Sequence, residues 1–197
     1  MGIHLLVEGP SGIGKTTLLL NGLWPLRKRA GGFVTQRMED SAGAVRGFCL
    51  IPAKTAKTPV AFYRENQPGI FLDCTRNKIF PGVFSTTGME LLRGGRYPCY
   101  LLDEIGGIEL LDTAFFDRLM ELFLQRTPCV GVLKSRENFL RMAAKLELPE
   151  SFGQRYREFR DFLEKRAEVE IVRMECRISP ETARKVDGFK AQIERGI

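Results

Sequence analysis

Two short stretches of this chain carry residues arranged for chemistry. Gly9, Pro10, Ser11, Gly12, Ile13, Gly14, Lys15 and Thr16 match G-x-x-x-x-G-K-[ST] in full, and follow the apolar run from Ile3 to Val7. The glycines let the backbone turn with its N–H groups inward, and the next helix adds its positive end, so the loop can cradle a triphosphate. Lys15 would reach the β- and γ-phosphates, the Thr16 hydroxyl would ligate Mg²⁺, and Thr17 completes the nucleotide-binding set. The second stretch is Asp103-Glu104, which ends the apolar run Cys99 to Leu102. An acid at the end of a buried strand, downstream of such a loop, can hold the Mg²⁺ shell beside Thr16; a neighbouring carboxylate can polarise the attacking water. Asp103 is therefore the expected metal residue, and Glu104 and Lys15 the expected catalytic ones.

Elements must place these groups. Helical spacing from Lys15 to about Arg29 is interrupted by Gly22 and Pro25, so a kink or a loosened last turn is expected at Pro25, and Gly31-Gly32 reads as the stop. Phe33 to Met38 and Ala44 to Ile51 form a hairpin, Thr58 to Tyr63 adds a strand, and Glu65 to Gly82 reads as irregular. Thr87-Gly88-Met89-Glu90 fits a capping box opening a short helix that ends at Gly94-Gly95. Beyond the strand at Cys99, Asp112 caps a helix through Arg126, and Pro128 to Leu133 is a buried strand. Ser135 caps a helix to Leu146, Phe152, Tyr156, Phe159 and Leu163 mark an amphipathic helix, Val169 to Met174 is a strand, and Ser179-Pro180-Glu181 opens the last helix. Alternating strands and helices imply an α/β fold: a mostly parallel sheet covered on both faces, three layers in all, with the 33–63 hairpin inserted.

Composition bounds the rest. A chain of 197 residues with 44% hydrophobic content has room for one domain spanning 1–197, in which the segment 135–166 is a helical candidate to lie over the nucleotide. The first strand starts within two residues of Met1 and no apolar run nears the roughly 18 residues of a membrane span, so a cytoplasmic location is expected. Five scattered cysteines without a C-x-x-C pair fit reduced, mostly buried thiols. His4, the one histidine, falls inside the first strand, which excludes a His-dependent triad and a His metal cluster. A net charge of +6 raises nucleic acid as a partner, but outside Arg27-Lys28-Arg29 the basic residues are interleaved with acids, as on solvated helix faces.

The ordered blocks from Gly9 to Leu18, Gly32-Phe33-Val34-Thr35 with Arg46-Gly47-Phe48, and Asp103-Glu104-Ile105-Gly106-Gly107-Ile108-Glu109-Leu110 followed by Phe116, resemble the THEP-type nucleoside-triphosphatases over about residues 3–135. The resemblance implies a RecA-like P-loop fold and Mg²⁺-dependent hydrolysis of many nucleoside triphosphates to the diphosphate and phosphate, with Lys15, Thr16, Asp103 and Glu104 in the roles above. Four features depart from that family: Glu8 before the loop, Pro25 in the first helix, a longer and more basic region after Leu133, and Arg177-Ile178-Ser179-Pro180 where an Asn-Arg motif is expected.

Two other readings use the same loop. A small-molecule or nucleoside kinase would need a lid, for which Arg155, Arg157 and Arg160 are candidates, although a solvated basic face explains them more simply. A nucleotide-dependent switch could use Asp103-Glu104-Ile105-Gly106 as D-x-x-G and Thr35 as a switch threonine; Asn77-Lys78 followed by Ile79 and Phe80 lacks the carboxylate of a guanine-selecting N-K-x-D. Arg136, just past the strand ending at Leu133, is the candidate for a second positive charge beside Lys15.

Overall fold

The computed structural model describes residues 3–177 and 179–196; Met1 and Ile178, on which the early strand start and the altered tail motif partly rest, lie outside them. In chain order the strands and α-helices are β1 (His4–Glu8), α1 (Lys15–Gly22), β2 (Gly31–Glu39), β3 (Val45–Pro52), β4 (Val60–Phe62), β5 (Ile70–Asp73), β6 (Lys78–Ile79), α2 (Met89–Leu91), β7 (Tyr100–Ile105), α3 (Thr113–Leu122), β8 (Cys129–Leu133), α4 (Arg136–Lys145), α5 (Glu150–Glu164), β9 (Val169–Arg173) and α6 (Pro180–Glu194).

The strands form one sheet in the order β6-β5-β3-β2-β7-β8-β1-β9, with β4 pairing the far end of β2. From β2 to β9 every pairing is parallel, as are β2 and β4; β2–β3, β3–β5 and β5–β6 are antiparallel. Parallel strands need covering on both faces, and their period-2 side chains show it. Leu6, Tyr100, Leu102 and Leu133 face a core built with α3 and α5, while Leu5, Val7, Leu101 and Val132 face one built with α1 and α6. The expected three-layer, mostly parallel α/β architecture is thus observed. Fully buried Phe115, Leu119, Phe159 and Leu163 anchor the first face, each worth about 1.5–3 kcal/mol of transfer free energy.

Several local expectations need correction. The first helix ends at Gly22; Pro25, lacking an N–H, is followed by a separate 3-10 turn, Leu26–Arg29, so the loosened turn is a full break. Trp24 lies on the surface with the Lys28 ammonium 4.3 Å from its ring centroid, and Leu19, Leu20 and Leu23 make the buried stripe. Gly31 and Gly32 do not stop a helix but open β2: at Gly32, with φ at +89°, a Cβ would lie 2.2 Å from the Leu101 carbonyl oxygen of the neighbouring strand. The stretch Glu65 to Gly82 contains β5 and β6, pieces of four and two residues whose flanking turn formers hid them. No side chain caps the helix at Thr87. The helical turn is already under way in a π-type segment, Phe84–Gly88, with the Thr86 hydroxyl donating to the Gly82 carbonyl at 2.8 Å. The caps at Asp112, Ser135 and Ser179 are formed as expected, each accepting from a backbone N–H three residues on.

Candidate functional site

In parallel α/β sheets, ligands bind beyond the carboxyl ends of the strands, and both chemical motifs lie there. The loop leaves β1 and enters α1, with Gly9, Gly12 and Gly14 all at positive φ. Gly9 has no alternative, since a Cβ would sit 2.2 Å from the Met174 carbonyl oxygen. The Gly9 carbonyl is a fixed point of the loop: it accepts from Asn138 Nδ2 on α4 at 3.0 Å and from Lys15 Nζ at 2.9 Å. Lys15 also donates to the Pro10 carbonyl at 2.7 Å, which holds its ammonium across the loop. Burial pushes the Lys15 pKa down, as does Lys134, while Glu104 and Asp103 oppose the shift. Ser11, Gly12, Gly14, Lys15, Thr16 and Thr17 line one cleft with Asp103 and Glu104, so most of the expected nucleotide set is assembled there; Gly9 is buried in the loop's frame.

The sheet brings Asp103 to α1. Its Oδ1 accepts from the Thr16 hydroxyl at 2.9 Å across 87 residues of sequence, and its Oδ2 is buried without a hydrogen-bond partner among the described residues. Burial first, then the adjacent Glu104, pushes the Asp103 carboxyl up to about 7, against the pull of Thr16, Lys15 and Lys134. An orphaned buried carboxylate oxygen beside a threonine hydroxyl at a phosphate loop fits a divalent cation, which would satisfy that oxygen and offset the desolvation. Among the described residues no cluster of three His, Cys, Asp or Glu side chains could hold a metal.

Glu104 shares the end of β7 but has a different environment. Its Oε1 lies 2.9 Å from Lys134 Nζ, and the side chain keeps 26% exposure. Burial alone would raise its pKa; the Lys134 ammonium outweighs that, with help from Lys15, and holds Glu104 below the usual value. Lys134 is positioned from both sides, its N–H donating to the Ile105 carbonyl at 2.8 Å and its carbonyl accepting from the Tyr156 hydroxyl at 3.1 Å. Beyond β7, Glu109 folds back so that its carboxylate accepts from the Gly106 and Gly107 N–H groups, and burial pushes its pKa up to about 7. Glu109 shapes the loop after the acids.

Sequence reasoning missed Lys134, Asn138 and the structural use of Glu109. The signal for Lys134 was its place one residue past a buried strand, two positions before Arg136. Arg136 is exposed at the first position of α4; besides Lys15, Arg37, Lys145 and Arg177 border the phosphate cleft, and Lys134, Arg141 and Lys145 the adjoining cavity. The candidate lid arginines are otherwise engaged. Arg155 donates to the Leu110 carbonyl at 2.8 Å and Arg160 lies 2.5 Å from Glu8, so the departure at Glu8 is answered by a partner in α5; Arg157 is exposed. Thr35 lies inside β2, opposite Leu50 of β3.

Comparison with known proteins agrees with this arrangement. No curated protein matches the chain. The solved structure of THEP1 from the hyperthermophile Aquifex aeolicus is similar in fold, with a TM-score of 0.59 at 17% identity, over 98% of this chain and 99% of that one. A family model described as NTPase matches residues 4–153, well over half of the sequence and including the loop, both acids, Lys134 and Asn138. This chain therefore belongs to the NTPase family.

Proposed function

We propose that the protein hydrolyses nucleoside triphosphates to the diphosphate and phosphate with Mg²⁺ and broad tolerance for the base. The observation that carries this reading is the division of labour between adjacent acids: Asp103 bound to Thr16 with one oxygen free, and Glu104 held ionised by Lys134 at the edge of the same cleft. The loop amides and Lys15 bind and orient the triphosphate, and Lys15 offsets charge on the β- and γ-phosphates. Thr16 and Asp103 would hold Mg²⁺, which when bound supplies charge neutralisation to the phosphate oxygens. Glu104 accepts a hydrogen bond from the attacking water and orients it toward the γ-phosphorus; its ionised state at neutral pH suits that task. Lys134 fixes the Glu104 carboxylate and supplies the second cation that Arg136 was expected to provide. Base tolerance follows from a cleft whose chemistry is concentrated on the phosphates.

A switch is disfavoured, because Thr35 is locked in the β2–β3 ladder rather than in a loop that a γ-phosphate could reorder. Nucleic acid is not favoured either: Arg27 of the basic run is buried and donates to the Leu20 carbonyl at 3.0 Å. A single domain and a cytoplasmic location belong to this reading, supported by the buried Cys49, Cys99 and Cys129 and by the absence, among the described residues, of a helix long and apolar enough to cross a membrane. The test is phosphate release from ATP, GTP, CTP and UTP with and without Mg²⁺. Comparable Mg²⁺-dependent rates on all four support the reading, and release from none, or equal release without Mg²⁺, overturns it.

A further inference from the structure

The phosphate loop and both acids occupy the carboxyl edge of the parallel strands. At the opposite edge four connections, residues 23–30, 92–99, 123–128 and 165–168, enter β2, β7, β8 and β9. They carry eight Lys and Arg residues and one acid, Glu168: Arg27, Lys28 and Arg29 before β2, Arg93 and Arg96 before β7, Arg126 before β8, Lys165 and Arg166 before β9. The whole chain, with 30 cations and 24 acids, gives no hint of that ratio. These groups are far apart in sequence. The sheet order β2-β7-β8-β1-β9 gathers them, and with neighbouring strands about 4.8 Å apart the row spans roughly 19 Å.

Part of that charge has a structural use. Arg27 is buried, and Lys165 lies 3.7 Å from Asp161. Cations also suit helix C-termini, and α1, α3 and α5 end at this edge, each with about half a negative charge. Those three ends and Glu168 supply about −2.5 against the six cations that remain, which leaves a net charge of about +3.5. Lys28, Arg29, Arg93, Arg96 and Arg126 are exposed, and none of them has an ion pair among the described residues.

Each of the first three connections also brings a large apolar side chain to the surface. Trp24, the one tryptophan of the chain, is 47% exposed and Leu124 60%, and Tyr97 is half-buried. Cations interleaved with aromatics suit single-stranded nucleic acid when the ring faces are open to stacking bases. Here the rings are occupied. Arg27 and Lys28 lie 5.0 and 4.3 Å from the Trp24 centroid, and Tyr97 sits edge-on to Tyr100 and packs on Gly31 and Gly95. Leu124, the most exposed of the three, has no ring at all. Cations around amphipathic rings and a protruding leucine match the headgroup zone of an anionic bilayer, where Trp and Tyr lie at the interface and Lys and Arg meet the negative leaflet.

We propose that the amino edge of the sheet is a docking surface for a bilayer containing anionic lipid. The contact is electrostatic and reversible: each cation near such a surface strengthens binding about fivefold, and salt screens it. Leu124 and the Trp24 edge add shallow apolar contact. Docking by this edge leaves the phosphate cleft, at the other end of the strands, turned toward solvent, so substrate access is unhindered.

The experiment floats the full chain with phosphatidylcholine vesicles, with mixed phosphatidylcholine–phosphatidylserine vesicles, and with the mixed vesicles in high salt, while the emission of Trp24 is recorded. Expected is binding to the anionic vesicles alone, lost in high salt, with Trp24 emission shifted to the blue and quenched by brominated lipid. Arg96→Gln combined with Arg126→Gln should weaken binding on the order of 25-fold. The same loss of charge at Arg157 and Arg184, exposed on α5 and α6, should weaken it less than about threefold. No binding to anionic vesicles overturns the proposal, as does binding with unchanged Trp24 emission or an equal loss in the two double variants. Binding of a single-stranded RNA without binding of vesicles assigns the edge to nucleic acid and overturns it as well.

Discussion

The wall of the cleft made by β1, β7 and β8 and the wall made by β3 and β5 face the same space, yet they are built on opposite plans. The first wall consists of parallel strands covered on both faces, and its functional groups are nearly all committed: Lys15 to two loop carbonyls, Thr16 to Asp103, Glu104 to Lys134, Asn138 to Gly9. The second wall is an antiparallel wing that ends in two-residue β6 and contributes Phe48, Phe71 and Leu72 to the lining. Buried polar networks fix geometry because each unsatisfied member is costly. Apolar surfaces accept varied shapes because dispersion has little directionality. The proposed chemistry belongs to the wall whose polar groups are committed to one another.

Within the first wall, Asp103 and Glu104 repeat the contrast on a smaller scale. Burial drives Asp103 toward the protonated form when no cation faces it, whereas Lys134 keeps its neighbour ionised. A carboxyl pushed up to about 7 beside one held below its usual value gives the site an acid that gains from a metal and an acid that does not need one.

Breaking the first wall at its strongest point should have the largest effect. Lys15→Ala removes the charge that bridges the phosphates, and turnover should fall by about 100- to 1,000-fold with weakened triphosphate binding while the melting temperature stays near wild type. Unchanged hydrolysis would show that the loop does not bind the reacting phosphates. Asp103→Asn keeps the shape of the contact with Thr16 but removes the charge, so the Mg²⁺ concentration for half-maximal activity should rise about tenfold or more. An unaltered Mg²⁺ dependence would make Asp103 a structural residue of the strand end.

The two walls should also differ in local stability. Amide hydrogens of β5 and β6 should exchange at least about 100-fold faster than those of β1 and β8, since an edge pair opens without the global transition. Equal protection would mean that the wing is as rigid as the core and would dissolve the comparison. A smaller effect concerns His4, whose Nδ1 accepts from the Cys129 N–H at 3.1 Å and whose pKa burial pushes down to about 4. A folded-state value below the unfolded 6.5 means stability fully present above pH 6.5 and lost as pH falls to 4, about 3 kcal/mol for the whole shift. Denaturation midpoints of wild type and His4→Gln at pH 7 and 4.5 test this; the variant should lose less on acidification, and identical losses would show that His4 is not the group involved.

The first wall was legible in the sequence because its signals are local and chemically exacting. A loop needing glycines, lysine and threonine at fixed spacing, and acids terminating an apolar run, leave few alternatives, and the caps at Asp112, Ser135 and Ser179 read directly. The wing was not legible. β5 and β6 are too short for a period-2 pattern, and their pairing with β3 is a tertiary fact. Gly31 and Gly32 misled for the same reason: their need for close approach to β7 cannot be told from helix termination without knowing the neighbour. Lys134 escaped because its role exists only once β8 lies beside β7 and aims it at Glu104.

Glu104 is proposed to act on the chemistry and not on binding. Glu104→Gln keeps size and hydrogen bonding but loses the negative charge that orients the water. Single-turnover release of γ-phosphate, measured beside equilibrium binding of a labelled triphosphate, should fall by about 100-fold or more with the Kd changed less than about threefold. Near wild-type release, or a loss of binding with no separate loss of rate, would contradict the account and transfer the role to another acid of the cleft.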